Sequence, residues 1–239
     1  MKIGILQTGY SPDALRDLGD YPDMFQTLLE GNGFTFRTFR AVDNELPASV
    51  QDCDGYLITG SRHGVYEDHP FIKPLEQFIR DCLAAGVPVA GVCFGHQIMA
   101  QALGGTVEKF QGGWATGPTD YDFDGETLRL NAWHQDQVIT PPAGATIIAT
   151  SPFCQYAGLA YGKTGLSVQA HPEYGDAFIA GLIEHRGPGV VPDAQLAETR
   201  ARLGAPLDGD RIADRIAAFF KAAAPRAPGA QQDMQRATP

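Results

Sequence analysis

Residues 87–105 read VPVAGVCFGHQIMAQALGG, an apolar run that ends on Cys93 and passes straight into a helical stretch closed by Gly104 and Gly105. Residues 87–92 show no polar alternation, as expected of a strand buried on both faces of a parallel sheet. Residues 97–103 suit a helix, and the glycine pair after them is a stop signal. Gly91 and Gly95 stand two residues before and two after Cys93. That is the spacing of a strand-to-helix turn so sharp that side chains there would strike neighbouring backbone. It would hold Cys93 at the C-terminal edge of the sheet, where open α/β folds bind their ligands, and the helix N-terminus favours an anion there. A free cysteine is more often a buried structural residue, and Cys53, Cys82 and Cys154 are read that way. Cys93 is read as a nucleophile because strand, glycine pair and helix all fall in order around it.

Working outward, residues 3–6, 34–41 and 55–60 carry strand signals. Residues 22–30 and 71–83 carry apolar positions at i, i+3, i+4 spacing, the mark of amphipathic helices. The βαβα order predicts an α/β fold: an open, mostly parallel sheet flanked by helices, with right-handed crossovers. After Gly105 the texture changes. Short strand-like runs at 106–110, 127–133, 145–150, 155–161 and 166–170 predict added β-hairpins on or beside the sheet. Helices are expected at 176–185, about 194–203 and 210–223. Residues 225–239, rich in Ala, Pro and Gln, are expected to form a disordered tail.

Composition narrows the partners. The 239 residues are 44% hydrophobic and 19% charged, with 28 acidic and 18 basic residues giving a net charge of −10. Nucleic acid is not an expected partner, because phosphate binding needs a clustered positive field, and a membrane surface is disfavoured for the same reason. The opening residues offer only a short apolar run, below the roughly 7–15 residues of a secretory h-region. No stretch approaches the about 20 apolar residues of a membrane span. The four cysteines are widely spaced with no C-x-x-C pair, which suggests reduced thiols and a cytoplasmic location. Cys93 and His96 lie close in sequence, but no second Cys/His pair completes a zinc site, so no metal is expected.

The segment 91–105 closely resembles the nucleophile segment of class I (triad-type) glutamine amidotransferases, and further motifs support the likeness in the same order along residues 1–185. Val168-Gln169-Ala170-His171-Pro172-Glu173 resembles the family's His-Pro-Glu motif. The resemblance implies that His171 takes the thiol proton and Glu173 orients the imidazole; two residues apart in an extended chain, they would face one side. Gly60-Ser61 occupies the position of the family's oxyanion hole, whose implied donors are the backbone N–H groups of Ser61 and Phe94. Trp133-His134-Gln135-Asp136 resembles the segment bordering the glutamine pocket, making Gln97, His134, Gln135 and Asp136 candidates to grip the glutamyl group. Arg62, His63 and His69 either read an acidic end of the substrate or are solvated loop residues.

The resemblance implies a single amidotransferase-like domain over residues 1–224, of the flavodoxin-like type, with a Cys93–His171–Glu173 triad. It also implies cleavage of a γ-glutamyl amide bond through a γ-glutamyl thioester, with neither metal nor organic cofactor. The loop after Gly60 departs from the commoner Gly-Gly-Pro form and is closer in style to the γ-glutamyl peptidase-like branch. Three functions remain open. The chain is a self-sufficient hydrolase of a small-molecule γ-glutamyl substrate, a glutaminase subunit feeding ammonia to a separate synthetase, or a non-catalytic binding or stress protein on the same fold. The intact triad argues against the third.

Overall fold

In the computed structural model, which describes residues 1–223, the chain alternates strand and helix as its apolar pattern predicts. The strands are β1 (Lys2–Leu6), β2 (Thr35–Phe39), β3 (Gly55–Ile58), β4 (Val89–Val92), β5 (Thr106–Lys109), β6 (Ala115–Phe123), β7 (Glu126–His134), β8 (Asp136–Thr140), β9 (Thr146–Ala149), β10 (Gly158–Tyr161) and β11 (Gly165–Val168). The helices are α1 (Tyr21–Leu28), α2 (Ile72–Ala84), α3 (Phe94–Ala102), α4 (Asp176–His185), α5 (Asp193–Ala201) and α6 (Gly209–Ala223). The expected tail, 225–239, lies outside the described residues.

Seven strands form the main sheet in the order β2-β1-β3-β4-β11-β10-β9. The first five run parallel, and β10 and β9 add an antiparallel edge. The non-alternating apolar runs are explained by burial on both faces. Tyr56 and Ile58 of β3 pack with Phe78, Ile79 and Met99 on the α2–α3 side. Leu57, between them, packs with Phe25, Ile216 and Phe220 on the α1–α6 side. Every residue of β3 and β4 is buried, and the hydroxyl of Tyr56 in β3 is accommodated by donating to the Ser49 carbonyl at 3.2 Å. Among the described residues no helix is long and apolar enough to cross a membrane.

β6 and β8 were not expected from the sequence. Gly117, Pro118, Asp120 and Asp122 break the β pattern of β6, yet it pairs along its whole length with β7. Asp124 and Gly125 join the two strands with φ of 55° and 89°. Positive φ at both positions is the condition for the two-residue hairpin turn that Asp-Gly favours. The β6–β7 and β5–β8 ladders stand beside the main sheet, whereas β9, β10 and β11 belong to it.

A third apolar cluster, with Leu15, Tyr21, Tyr174, Phe178, Ile179, Leu182 and Leu196 among its members, sits under α4 and α5. The main-chain carbonyls of β6 hold α5 in place: Arg202 donates to Pro118 and Thr116 at 2.7 and 2.8 Å. This layer closes one side of the cavity described next.

Candidate active site

The turn from β4 to α3 is as sharp as its glycines require. A Cβ at Gly91 would lie 2.4 Å from the Gly95 carbonyl oxygen, and one at Gly95 would lie 2.4 Å from that of Ile58. Both contacts are with backbone, which cannot swing away. Cys93 itself adopts φ 54° and ψ −104°, a left-sided conformation that L-residues rarely hold and that costs on the order of 1–3 kcal/mol. Cys93 as a residue is 6% exposed and opens onto a cavity of about 330 Å³.

His171 also lines that cavity. β11 ends at Val168, so the His171–Glu173 segment is not the extended strand its spacing suggests. His171 forms an isolated bridge to Asn131 of β7, and the chain then turns at Pro172 and Glu173. The turn achieves the same end: His171 Nδ1–H donates to Glu173 Oε1 at 2.7 Å, with both side chains almost wholly enclosed. The imidazole stacks on Tyr174, ring centroids 3.9 Å apart at 6°. Cys93 is its neighbour in the cavity, with its Cβ 3.9 Å from the point where a Cβ on Gly60 would stand beside the imidazole. Burial acts to lower the His171 pKa, but the Cys93 and Glu173 charges outweigh it and raise it to about 10.

Gly60 closes over the imidazole, near enough that a Cβ there would sit 3.1 Å from His171 Cε1. Its carbonyl accepts hydrogen bonds from Thr8 and Thr59, both hydroxyls at 3.0 Å. Thr8 and Thr59 are fully buried, and the Thr8 main-chain N–H donates to the Thr59 hydroxyl at 3.1 Å. The Gly60 carbonyl and the Ser61 N–H belong to one trans peptide. Fixing the carbonyl therefore turns the N–H to the face away from the two threonines. Among the described residues neither the Ser61 nor the Phe94 N–H is given to a backbone acceptor.

The segment after β7 completes the pocket. His134 Nδ1–H donates to the Asp136 carbonyl at 3.2 Å, which leaves Nε2 a bare acceptor, buried and without a partner among the described residues. Burial first, then the charge of His171, lowers its pKa to about 3, so it is a neutral imidazole at physiological pH. Asp136 accepts from Tyr66 Oη at 3.1 Å, and burial raises its pKa. Gln135 lines the cavity and donates to the Phe110 carbonyl at 3.3 Å. Gln97 lines it too, but its amide N–H groups are spent on the Asp136 carbonyl and on Gln169 Oε1, at 2.9 and 3.1 Å. His96 faces away from Cys93, bonded to Ser167 at 2.8 Å.

Every site residue expected from the sequence thus meets at one cavity or directly backs it. Sequence reasoning missed Thr8, Tyr174, Trp114 and Arg186, and placed Trp133 in the pocket-bordering segment without giving it a role of its own. Tyr174 carried a signal, since it follows Glu173 directly. Thr8 carried only its place just beyond the C-terminal end of β1, on the ligand-binding edge of such sheets.

Comparison with known proteins bears on the family and the fold. The family model for class-I glutamine amidotransferases matches residues 29–177. Gamma-glutamyl peptidase 4 of Arabidopsis thaliana is 30% identical over 211 residues, covering 81% of this chain and 84% of that protein. The glutamine-hydrolyzing GMP synthase of Macrococcus caseolyticus is 35% identical over 127 residues, covering 50% of this chain and 24% of the synthase. Among solved structures, a glutamine amido transferase from Methylobacillus flagellatus superposes with a TM-score of 0.74 at 22% identity, covering 96% of this chain and 97% of that one.

Proposed function

We propose, since the chain belongs to the class-I glutamine amidotransferase family, that it is a cytoplasmic, cysteine-dependent hydrolase of a γ-glutamyl amide bond, acting without a synthetase. The observation that carries the reading is the His171 imidazole, enclosed, bonded to the Glu173 carboxylate and sharing one cavity with Cys93.

The chemistry is acyl transfer. The Cys93 thiolate attacks the side-chain amide carbonyl, forming a C–S bond, and the Ser61 and Phe94 N–H groups receive the developing oxyanion. Collapse breaks the C–N bond as His171 protonates the departing amine, leaving a γ-glutamyl thioester. His171 then takes a proton from water, which attacks the thioester; glutamate leaves and the thiolate returns. Gln97, Gln135, Asp136 and the bare Nε2 of neutral His134 are the groups for gripping the glutamyl end. Trp114, Trp133 and Arg186, from elements outside the main sheet, face the amine side.

The second reading, a glutaminase subunit serving a separate synthetase, draws on the similarity to GMP synthase. The Gly60 carbonyl favours the first. A peptide held by two buried hydroxyls has its oxyanion donor in place before any partner docks, as a free-standing hydrolase needs.

The test is a screen of glutamine and γ-glutamyl amides with the purified chain, reading glutamate and amine release. Wild type should turn over at least one substrate, and Cys93→Ala should lose more than about 99% of that rate. Retained activity in the variant would end the covalent mechanism. Silence across the panel until a synthetase is added would favour the subunit.

A further inference from the structure

The loop between β3 and α2 holds a group of side chains that the hydrolase chemistry does not use. His63 Nδ1 lies 3.5 Å and His69 Nε2 lies 2.7 Å from the same oxygen, Glu67 Oε2. One donor atom from each residue falls within 4.8 Å of the other two, and among the described residues this is the group of His, Cys, Asp and Glu side chains so gathered. The two imidazole rings are 4.0 Å apart, inclined at 59°. We propose that His63, Glu67 and His69 form a binding site for a divalent cation of the zinc type, on the rim of the cavity that Cys93 opens onto.

The donor set selects the ion. Two imidazole nitrogens and one carboxylate oxygen suit zinc and its late first-row neighbours, whereas magnesium and calcium prefer sets made of oxygen. Tetrahedral bonds of about 2.0–2.1 Å place neighbouring donors roughly 3.3–3.5 Å apart. The His63–Glu67 pair already has that separation, and His69 needs to withdraw from Glu67 by less than about 1 Å. Three protein donors leave one position open.

The loop is prepared for this. Its backbone closes on itself through Glu67 N–H to the Gly64 carbonyl and His69 N–H to the Glu67 carbonyl, both 3.1 Å. Gln101 of α3 donates to the Val65 carbonyl at 2.7 Å. Phe71, itself buried, stacks on His69 at 5.9 Å and meets the edge of His63 at 6.0 Å. The same ring packs against Phe94, the residue after Cys93. His63 and Glu67 are also part of the cavity wall, so an ion would tie that wall to one shape. The site shares no donor with Cys93 or His171, and its occupancy does not depend on the hydrolase reading.

Zinc titration of the chelator-treated full chain, in competition with a chromophoric chelator, tests the site. One equivalent should bind, and His69→Ala and Glu67→Gln should each weaken binding by more than about 100-fold, beyond the loss typical of outer-shell partners. Glu67→Gln preserves the size and polarity of the side chain and guards against a variant that fails to fold. Cys93→Ala should bind as wild type does, and the cobalt derivative should show no thiolate charge-transfer band. Binding that survives both loop substitutions, binding lost in Cys93→Ala, a thiolate band, or no binding above the variants' level would each overturn the proposal.

Discussion

The wall of the cavity that carries Cys93 and His171 grows from the edge of the main sheet, whereas the facing wall, with Tyr66, Trp114 and Trp133, rests on a loop and a hairpin outside it. The first is set by close approach of the main chain: Gly91 on the Gly95 backbone, Gly95 on the Ile58 backbone, and Gly60 on the His171 ring. The second hangs on side chains reaching across gaps, Tyr66 to Asp136, Gln101 to Val65, Gln195 to the Trp114 carbonyl. A wall of the first kind admits almost no substitution without moving the strand. One of the second kind can exchange side chains while its backbone stays put. On the proposed function, this division separates the groups that would do the chemistry from those that would select the substrate.

The hardest strike on the sheet-edge wall is Glu173→Gln. By comparison with other triads in which the orienting carboxylate is lost, kcat should fall about 10²–10⁴-fold. The pH dependence should change as well. The folded pKa of His171 is raised from 6.5 to about 10. Its stabilising contribution is therefore complete below pH 6.5 and lost as pH climbs through about 10. With one of the two raising charges removed, the alkaline limbs of both kcat/KM and thermal stability should move to lower pH. Unmoved limbs would separate Glu173 from the imidazole.

A milder strike leaves the triad intact. Thr8→Val keeps the shape of a buried side chain but removes one of the two hydroxyls on the Gly60 carbonyl. Loss of an oxyanion donor outright costs about 10²–10³-fold; loosening its peptide should cost about tenfold, in kcat rather than KM. An equal loss in both parameters would make Thr8 a packing residue only.

On the facing wall the expected effect is smaller and selective. Trp133→Ala opens the amine side, where Trp133 meets Trp114 at 6.3 Å. Removing such apolar contact is worth about 1–3 kcal/mol for a substrate that uses it. The value of kcat/KM for γ-glutamyl conjugates of bulky amines should fall about tenfold, and that for glutamine should change little. A uniform fall would join the two walls into one unit.

The same division explains what was legible in the sequence. Cys93, Gly91 and Gly95 could be placed because the turn leaves so few residue types free, and the parallel core could be read from apolar runs buried on both faces. His171 and Glu173 were found by motif, although a turn rather than a strand brings them together. β6 was missed because Gly117 and Pro118 disrupt the pattern that pairing with β7 overrides; Asp124-Gly125 was the available signal. Thr8 was missed because its partners, Thr59 and Gly60, are more than fifty residues away. The His63–Glu67–His69 group has no cysteine pair to announce it.

The backbone of Cys93, at φ 54°, has a consequence for the history of the chain. Glycine is the residue that occupies such a conformation at little cost, so a glycine there would relieve the strain and remove the thiol in one step. Selection for stability alone would take that step. On the proposed function a cysteine here is worth its strain only through its chemistry, and a lineage released from that duty would have a ready downhill path to a sturdier, inert descendant.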